Sequence, residues 1–313
     1  MPFWRRETPE EQKRRKRQEA SISALEGGRL PLAARHRLEN QKRREDGFFT
    51  SDLSVNECLV ASEAGYESLG LVMGSCFQQV GYRAMRRYYR PLTGEMEAVT
   101  HAHTTARERC VQRLALEAKV LGAHGVIGVE VKTRTHPWAM GLVEFTAIGT
   151  AIRVPDHEPT AEPFTSHLSG QDFWQLHRAG YWPRALVFGL CAYYVNEDPA
   201  TRRILTPSLF SSAGWINQEV TQFTHGYYQA SHAARVRLSD AVRRHRAQGA
   251  VGMQVQEHLQ DIEYEINKVV YHDLLVTFVA QGTAVSPLEE APVATPPKSL
   301  MVLDLASGET RSL

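Results

Sequence analysis

The chain carries one pattern of about 100 residues twice, and a duplication limits the possible folds more tightly than any single motif. Ser51, Leu53, Ser54, Glu57, Ala64, Gly65 and Tyr66 return 115 positions later as Ser166, Leu168, Ser169, Asp172, Ala179, Gly180 and Tyr181. Leu71 to Cys76 answers to Leu186 to Cys191 at the same offset. Glu95, Thr100 and His101 match Glu219, Thr224 and His225 at an offset of 124, as Gly125-Val126-Ile127-Gly128 matches Gly249-Ala250-Val251-Gly252. Phe145 to Ala151 matches Phe278 to Ala284 at an offset of 133. Two insertions of nine residues therefore separate the copies, and both copies are expected to share one strand order. The differences are expected in the loop before a long helix and in the loop between the final strands.

Each copy reads as helix, strand, long helix, strand, strand. Ser54 with Glu57, and Ser169 with Asp172, have the spacing of a capping box that satisfies the first free amides of a helix. Gly65 and Gly180 close those helices in the left-handed conformation. Leu69 to Phe77 and Ala185 to Val195, rich in branched and aromatic residues, read as strands. Apolar side chains at Met96, Val99, Ala106, Cys110, Leu114, Ala118 and Leu121 recur at steps of three, four and seven, which predicts a long amphipathic helix ending at Gly122. Its counterpart spans roughly Glu219 to His245. Val126 to Lys132 and Val143 to Ile152 then read as two strands, with Gly128 and Gly252 where the backbone must bend. The fold class is α+β, a helix packed on one face of a small antiparallel sheet, twice over.

These residues resemble a known family. Val72-x-Gly74, Ala106-Arg107 with Ala115, Leu121-Gly122-Ala123-His124-Gly125-Val126-Ile127-Gly128-Val129 and Gly149-Thr150-Ala151 are similar to the YbjQ-like family, also called heavy-metal-binding domains. The second copy keeps Val187-x-Gly189, Ala234-Arg235, Gly249-Ala250-Val251-Gly252 and Gly282-Thr283-Ala284, and departs at Arg246-Ala247-Gln248. The resemblance implies tandem dodecin-like two-layer units and five-membered rings, with no established catalytic residues. Five is odd and each chain supplies two units. Such a chain is therefore expected to close an even ring, for instance three chains giving six units, or to join two rings.

The expected organisation is a basic, partly disordered arm (1–50), a first repeat (51–155), a linker (156–165), a second repeat (166–287) and a Pro-rich tail (288–313). Residues 1–44 hold 13 Lys and Arg against 6 Glu, a net of +7, and leave 23 basic against 29 acidic residues in the rest, a net of −6. The arm is either a solvated extension or a contact for nucleic acid or anionic membrane. In the tail, Leu300 to Leu305 reads as a strand able to add to a sheet edge of its own or another chain. No apolar run approaches the ~20 residues of a membrane span, and the N-terminus lacks the apolar core of a signal peptide, so a cytoplasmic protein is expected. Cys58, Cys76, Cys110 and Cys191 show no C-x-x-C spacing and suit reduced thiols.

Chemistry is weakly marked. His101 and His103 point about 200° apart on a helix, and His103 and Cys110 lie about 10.5 Å apart along it, so no single helix clasps an ion. The thiol and imidazole that recur in both copies are Cys76 with His101 and Cys191 with His225. Converging between strand and helix, or across a subunit contact, they would hold zinc or copper; the competing reading is a buried thiol and a helix histidine beside Glu97. The motifs of hydrolases, zinc proteases and nucleotide-binding loops are missing. Gly122-x-x-Gly125-x-x-Gly128 runs from helix to strand, the reverse of a dinucleotide site. A non-enzymatic, homo-oligomeric binding or scaffold protein is the leading expectation, with a heavy-metal-binding protein as the alternative.

Overall fold

The computed structural model describes residues 8–43, 50–80 and 92–288 apart from 137, 140, 156, 158–161 and 207–215, together with 301–303 and 310–312. Helices α1 (Pro9–Glu26), α2 (Leu32–Lys42) and α3 (Val55–Glu63) lead into strand β1 (Glu67–Gln79). After β2 (Gly94–Glu95) comes the long helix α4 (Glu97–Leu121), then β3 (Gly125–Thr135) and β4 (Leu142–Arg153). The second half runs β5 (Phe164–Thr165), α5 (Gly170–Arg178), β6 (Tyr181–Val195), α6 (Pro199–Leu205), α7 (Thr221–Arg244), β7 (Gly249–Ile266) and β8 (Val269–Pro287), and the tail holds β9 (Met301–Leu303) and β10 (Thr310–Ser312).

The fold is α+β, and its two main sheets share a strand order: β1-β4-β3 and β6-β8-β7, antiparallel throughout. Local chemistry repeats with them. Ser54 and Ser169 cap α3 and α5 by accepting from the amides of Glu57 and Asp172. Gly128 and Gly252 both take φ of 64° at a bulge, after Ile127 and after Val251, a conformation that a side chain would strain. Each sheet also borrows a short strand from the other half: β5 runs parallel to β3, and β2 pairs with β6.

The layers alternate as sheet, helix, sheet, helix. Helix α4 lies on β1 and β4 and also against β6, whereas α7 lies on β6 and β8. One core therefore joins Val72, Cys110 and Leu114 to Leu186, Phe188 and Tyr194, and another joins Val187 and Cys191 to Ala234 and Leu238. Burial follows from this order. The pattern alternates along β1, which is covered on one face, and is nearly continuous along β6, which is covered on both.

Several expectations change. The second insertion of nine lengthens the final strands instead of their loop: β3 and β4 have 11 and 12 residues, β7 and β8 have 18 and 19. A two-residue turn with left-handed φ at Asn267 and Lys268 closes that hairpin. The loops before the long helices lie largely outside the described residues. The stretch read as a linker ends in β5. Arg113 donates to Ser75 O and Arg237 to Leu190 O, so the helices match at an offset of 124. Ala106-Arg107 therefore corresponds to Ala230-Ser231, and Ala234-Arg235 lies one turn further on. The basic arm is helical in α1 and α2. Leu38 is fully buried in the first core, and Gln41 and Arg37 donate to Leu69 O and Leu71 O on the edge of β1. The apolar tail segment pairs as β9 with the chain's own β10 and joins neither main sheet.

Candidate functional site: the face between the two repeats

The contact between the halves is built from the outer face of β6. Leu186, Phe188, Ala192 and Tyr194 alternate onto that face, and all are buried in one core with α4 and with Val129 and Val131 of β3. The free edge of β6 is closed by the segment that opens α4. Met96 N donates to Ala192 O, Ala192 N donates to Thr100 Oγ1, and Glu95 takes Arg237 at 2.7 Å.

Several parts of this contact have a repeat-equivalent left bare. Met73 and Phe77, the counterparts of Phe188 and Ala192, are 42% and 57% exposed, and Met253 and Val255, the counterparts of Val129 and Val131, are 48% and 56% exposed. β1 is the outermost strand of its sheet. Among the described residues, Arg113, the counterpart of Arg237, has no carboxylate partner, and Glu219, the counterpart of Glu95, is exposed and has no cation partner. One end of the stack thus shows what the middle of the stack buries.

Beside the contact lies a cleft of about 510 Å³ whose walls include Val80, Val99, His103, His136, Leu142 and His258. His103 meets Phe145 edge-on, with centroids 5.7 Å apart, and burial with Arg107 and His258 nearby lowers its pKa to about 4. His136 pairs with Glu144 at 3.0 Å. Behind His103, Arg107 is 3% exposed, lies 5.2 Å from the Phe145 ring centroid and 5.9 Å from that of Phe188, and donates from Nη2 to Thr133 Oγ1. Burial also lowers the pKa values of His124, His167, His177 and His245. In each case the folded state binds its proton less readily than the unfolded chain. The stability these groups contribute is present above about pH 6.5 and is lost as pH falls below it, for His103 down to about pH 4. At ~1.4 kcal/mol per unit, His103 alone accounts for up to about 3 kcal/mol. Urea unfolding at pH 7 and pH 4.5 is expected to show the loss, and His103→Gln to reduce it.

The residues expected to hold a metal are placed apart from this cleft. Cys76 and Cys191 are buried between strand and helix, while His101 and His225 are exposed on α4 and α7. Burial, reinforced by Glu95 and opposed by Arg237, pushes the Cys191 thiol up to about 11, away from the thiolate that binds metals. Cys110 donates to Gly74 O at 3.0 Å and is pushed up to about 12 by burial. His101 is nine residues from Cys110, about half a turn around the helix from the face that meets β1. Among the described residues, the metal-ligating groups that do converge are Asp261, Glu263 and His272, with ligand atoms all within 4.8 Å of one another. No helix among the described residues is long and apolar enough to cross a membrane.

Sequence reasoning missed His258 and the cleft because the cleft's walls come from both copies, and the position of His258 holds Arg134 in the first copy, so the repeat gave no signal there. Arg113 and Arg237 were findable, since they share the offset of Glu95 and Glu219.

Comparison with known proteins agrees with the repeat. The model of the YbjQ family, described as "Putative heavy-metal-binding", matches residues 60–155. The Encapsulin nanocompartment protein Rv1762c of Mycobacterium tuberculosis is 31% identical over 279 residues, covering 87% of this chain and 97% of that protein. A UPF0145 protein of Halorubrum lacusprofundi is 34% identical over 105 residues, 33% of this chain and 98% of its own length, and one of Thermosipho africanus is 31% identical over 90 residues, 28% of this chain and 82% of its own. No solved structure matches. The single-unit relatives are about as long as one repeat, the Mycobacterium tuberculosis relative is about as long as both, and the chain belongs to the YbjQ-like (UPF0145) family.

Proposed function

We propose that this protein is a non-enzymatic, self-assembling scaffold whose chains join head to tail through the contact that joins its own repeats. The units are taken as residues 51–155 and 166–287. The observation that carries the reading is the bare face at each end of the stack: Met73 and Phe77 on β1, Met253 and Val255 on β7. In a second chain's contact, Glu219 would reach the neighbour's Arg113 as Glu95 reaches Arg237 within the chain. A head-to-tail contact closes a ring when its rotation allows. Three chains giving six units is one such closure, and two rings joined by shared chains is another. The Mycobacterium tuberculosis relative is named for an encapsulin nanocompartment, and carried over, that name gives the assembly a protein-compartment setting. Native mass spectrometry of the full chain tests the proposal. A multiple of 35.2 kDa is expected; a strictly monomeric mass at micromolar concentration ends the proposal.

A second reading, metal binding, is favoured by the family's description and by the Asp261, Glu263 and His272 group. The thiol sites Cys76 with His101 and Cys191 with His225 compete with it. Elemental analysis of tag-free protein for zinc and copper decides. Asp261→Asn with His272→Gln is expected to abolish any bound ion and Cys76→Ser with Cys191→Ser to leave it unchanged, and the reverse result would assign the metal to the thiols.

A further inference from the structure

We infer that the cleft between the repeats binds a small carboxylate carried on an apolar body, with Arg107 as its charge partner. The argument begins with an unmet requirement. Arg107 is 3% exposed, yet its Nε and Nη1 have no hydrogen-bond partner among the described residues. Its hydrogen bond to Thr133 Oγ1 is to a neutral hydroxyl. No carboxylate among the described residues pairs with it: Glu144 is taken by His136, Glu257 by Tyr227, and Asp261 by His272. A buried cation without a counterion is costly, and buried donors are nearly always satisfied. Two aromatic faces, Phe145 and Phe188, offset part of that cost, but they accept no N–H bond in the guanidinium plane. Burial depresses its pKa to about 10, as expected for a cation lacking an anion.

The cleft ends one layer of side chains in front of this group: Arg107, Thr133 and Phe145 are not among its walls, and His103, Thr135 and Val143 stand between. His103 precedes Arg107 by one helical turn on the same face of α4. Thr135 and Val143 line the cleft and pair across β3 and β4, and the next inward-facing pair in that register is Thr133 with Phe145, the two residues that touch Arg107. The walls supply the rest of the specificity. Val80, Val99, Leu142 and Leu275 are apolar, and His103 and His258 stand together, close enough for His258 to lower the pKa of His103. Nε–H and Nη1 lie on different edges of the guanidinium plane, so a carboxylate would meet them singly, supplying the charge that the Thr133 hydroxyl does not. The volume of about 510 Å³ suits a small molecule. The second repeat has no such group: the equivalent of Arg107 is Ser231, which accepts from Arg235. The site is therefore a property of the first helix and does not depend on assembly.

The test titrates full-length protein with benzoate, with neutral benzamide and with inorganic phosphate, following the Arg107 Nε–H resonance and the heat of binding. Saturable benzoate binding that moves the Arg107 signal, with benzamide inert, is expected. Arg107→Met, which removes the buried charge while keeping volume, should weaken benzoate at least tenfold, and His258→Gln, at an exposed position, about threefold without loss of the fold. An unmoved Arg107 resonance, or unchanged affinity in both variants, would overturn the inference. Binding of phosphate with benzoate inert would overturn the assignment of a carboxylate on an apolar body.

Discussion

Replacing Met73 and Phe77 together with Glu is expected to reduce the assembly to single chains without unfolding them. Both side chains are already largely exposed within one chain, so a carboxylate there costs the monomer little. In the head-to-tail contact the same positions take the places of Phe188 and Ala192, which are 7% and 0% exposed. Burying two unpaired charges against apolar surface costs several kcal/mol, enough to weaken the contact at least a hundredfold. Val255→Glu should act alike from the opposite face. Because the proposed contact is heterologous, the two variants are complementary: each keeps one competent end. Mixed in equal amounts they should form a dimer and nothing larger by native mass spectrometry. Independent assembly of either variant, or failure of the mixture to pair, would show that the chains meet elsewhere.

Gly74→Ala and Gly189→Ala are expected to destabilise the fold by about 3 kcal/mol each, the upper end for overpacked sites. Both glycines sit where a strand passes beneath the middle of a long helix. A Cβ on Gly74 would lie 2.0 Å from Cys110 O and 2.7 Å from Leu114 N, and one on Gly189 would lie 1.9 Å from Ala234 O and 2.6 Å from Leu238 N. Those atoms are helix backbone, so relief requires lifting the helix from its sheet and opening the core beneath it. Gly249→Ala, where a Cβ meets nothing within 4 Å, is the control and should change stability by less than about 0.5 kcal/mol. Urea unfolding in the Met73→Glu, Phe77→Glu background separates this effect from association. Near-wild-type stability of both strand variants would contradict the close packing of helix on strand.

Residues close in sequence carried most of the local structure. The Ser-x-x-Glu and Ser-x-x-Asp caps, the left-handed Gly65 and Gly180, the bulge glycines Gly128 and Gly252 and the apolar spacing along α4 are each satisfied within a few residues, and so they could be read without a fold. The repetition then supplied the common strand order, because equal local instructions yield equal units. Tertiary structure alone decided how the two units stack. The same alternation puts Met73 and Phe188 on the outer faces of their strands, yet one is exposed and the other buried, because α4 meets the inner face of the first sheet and the outer face of the second. The cleft likewise joins His103 to His258 across 155 positions of sequence, and Arg107 gained its place between Phe145 and Phe188 only when two sheets closed on one helix. Periodicity records which face of an element avoids water; which surface that face meets is set by complementarity between distant parts of the chain.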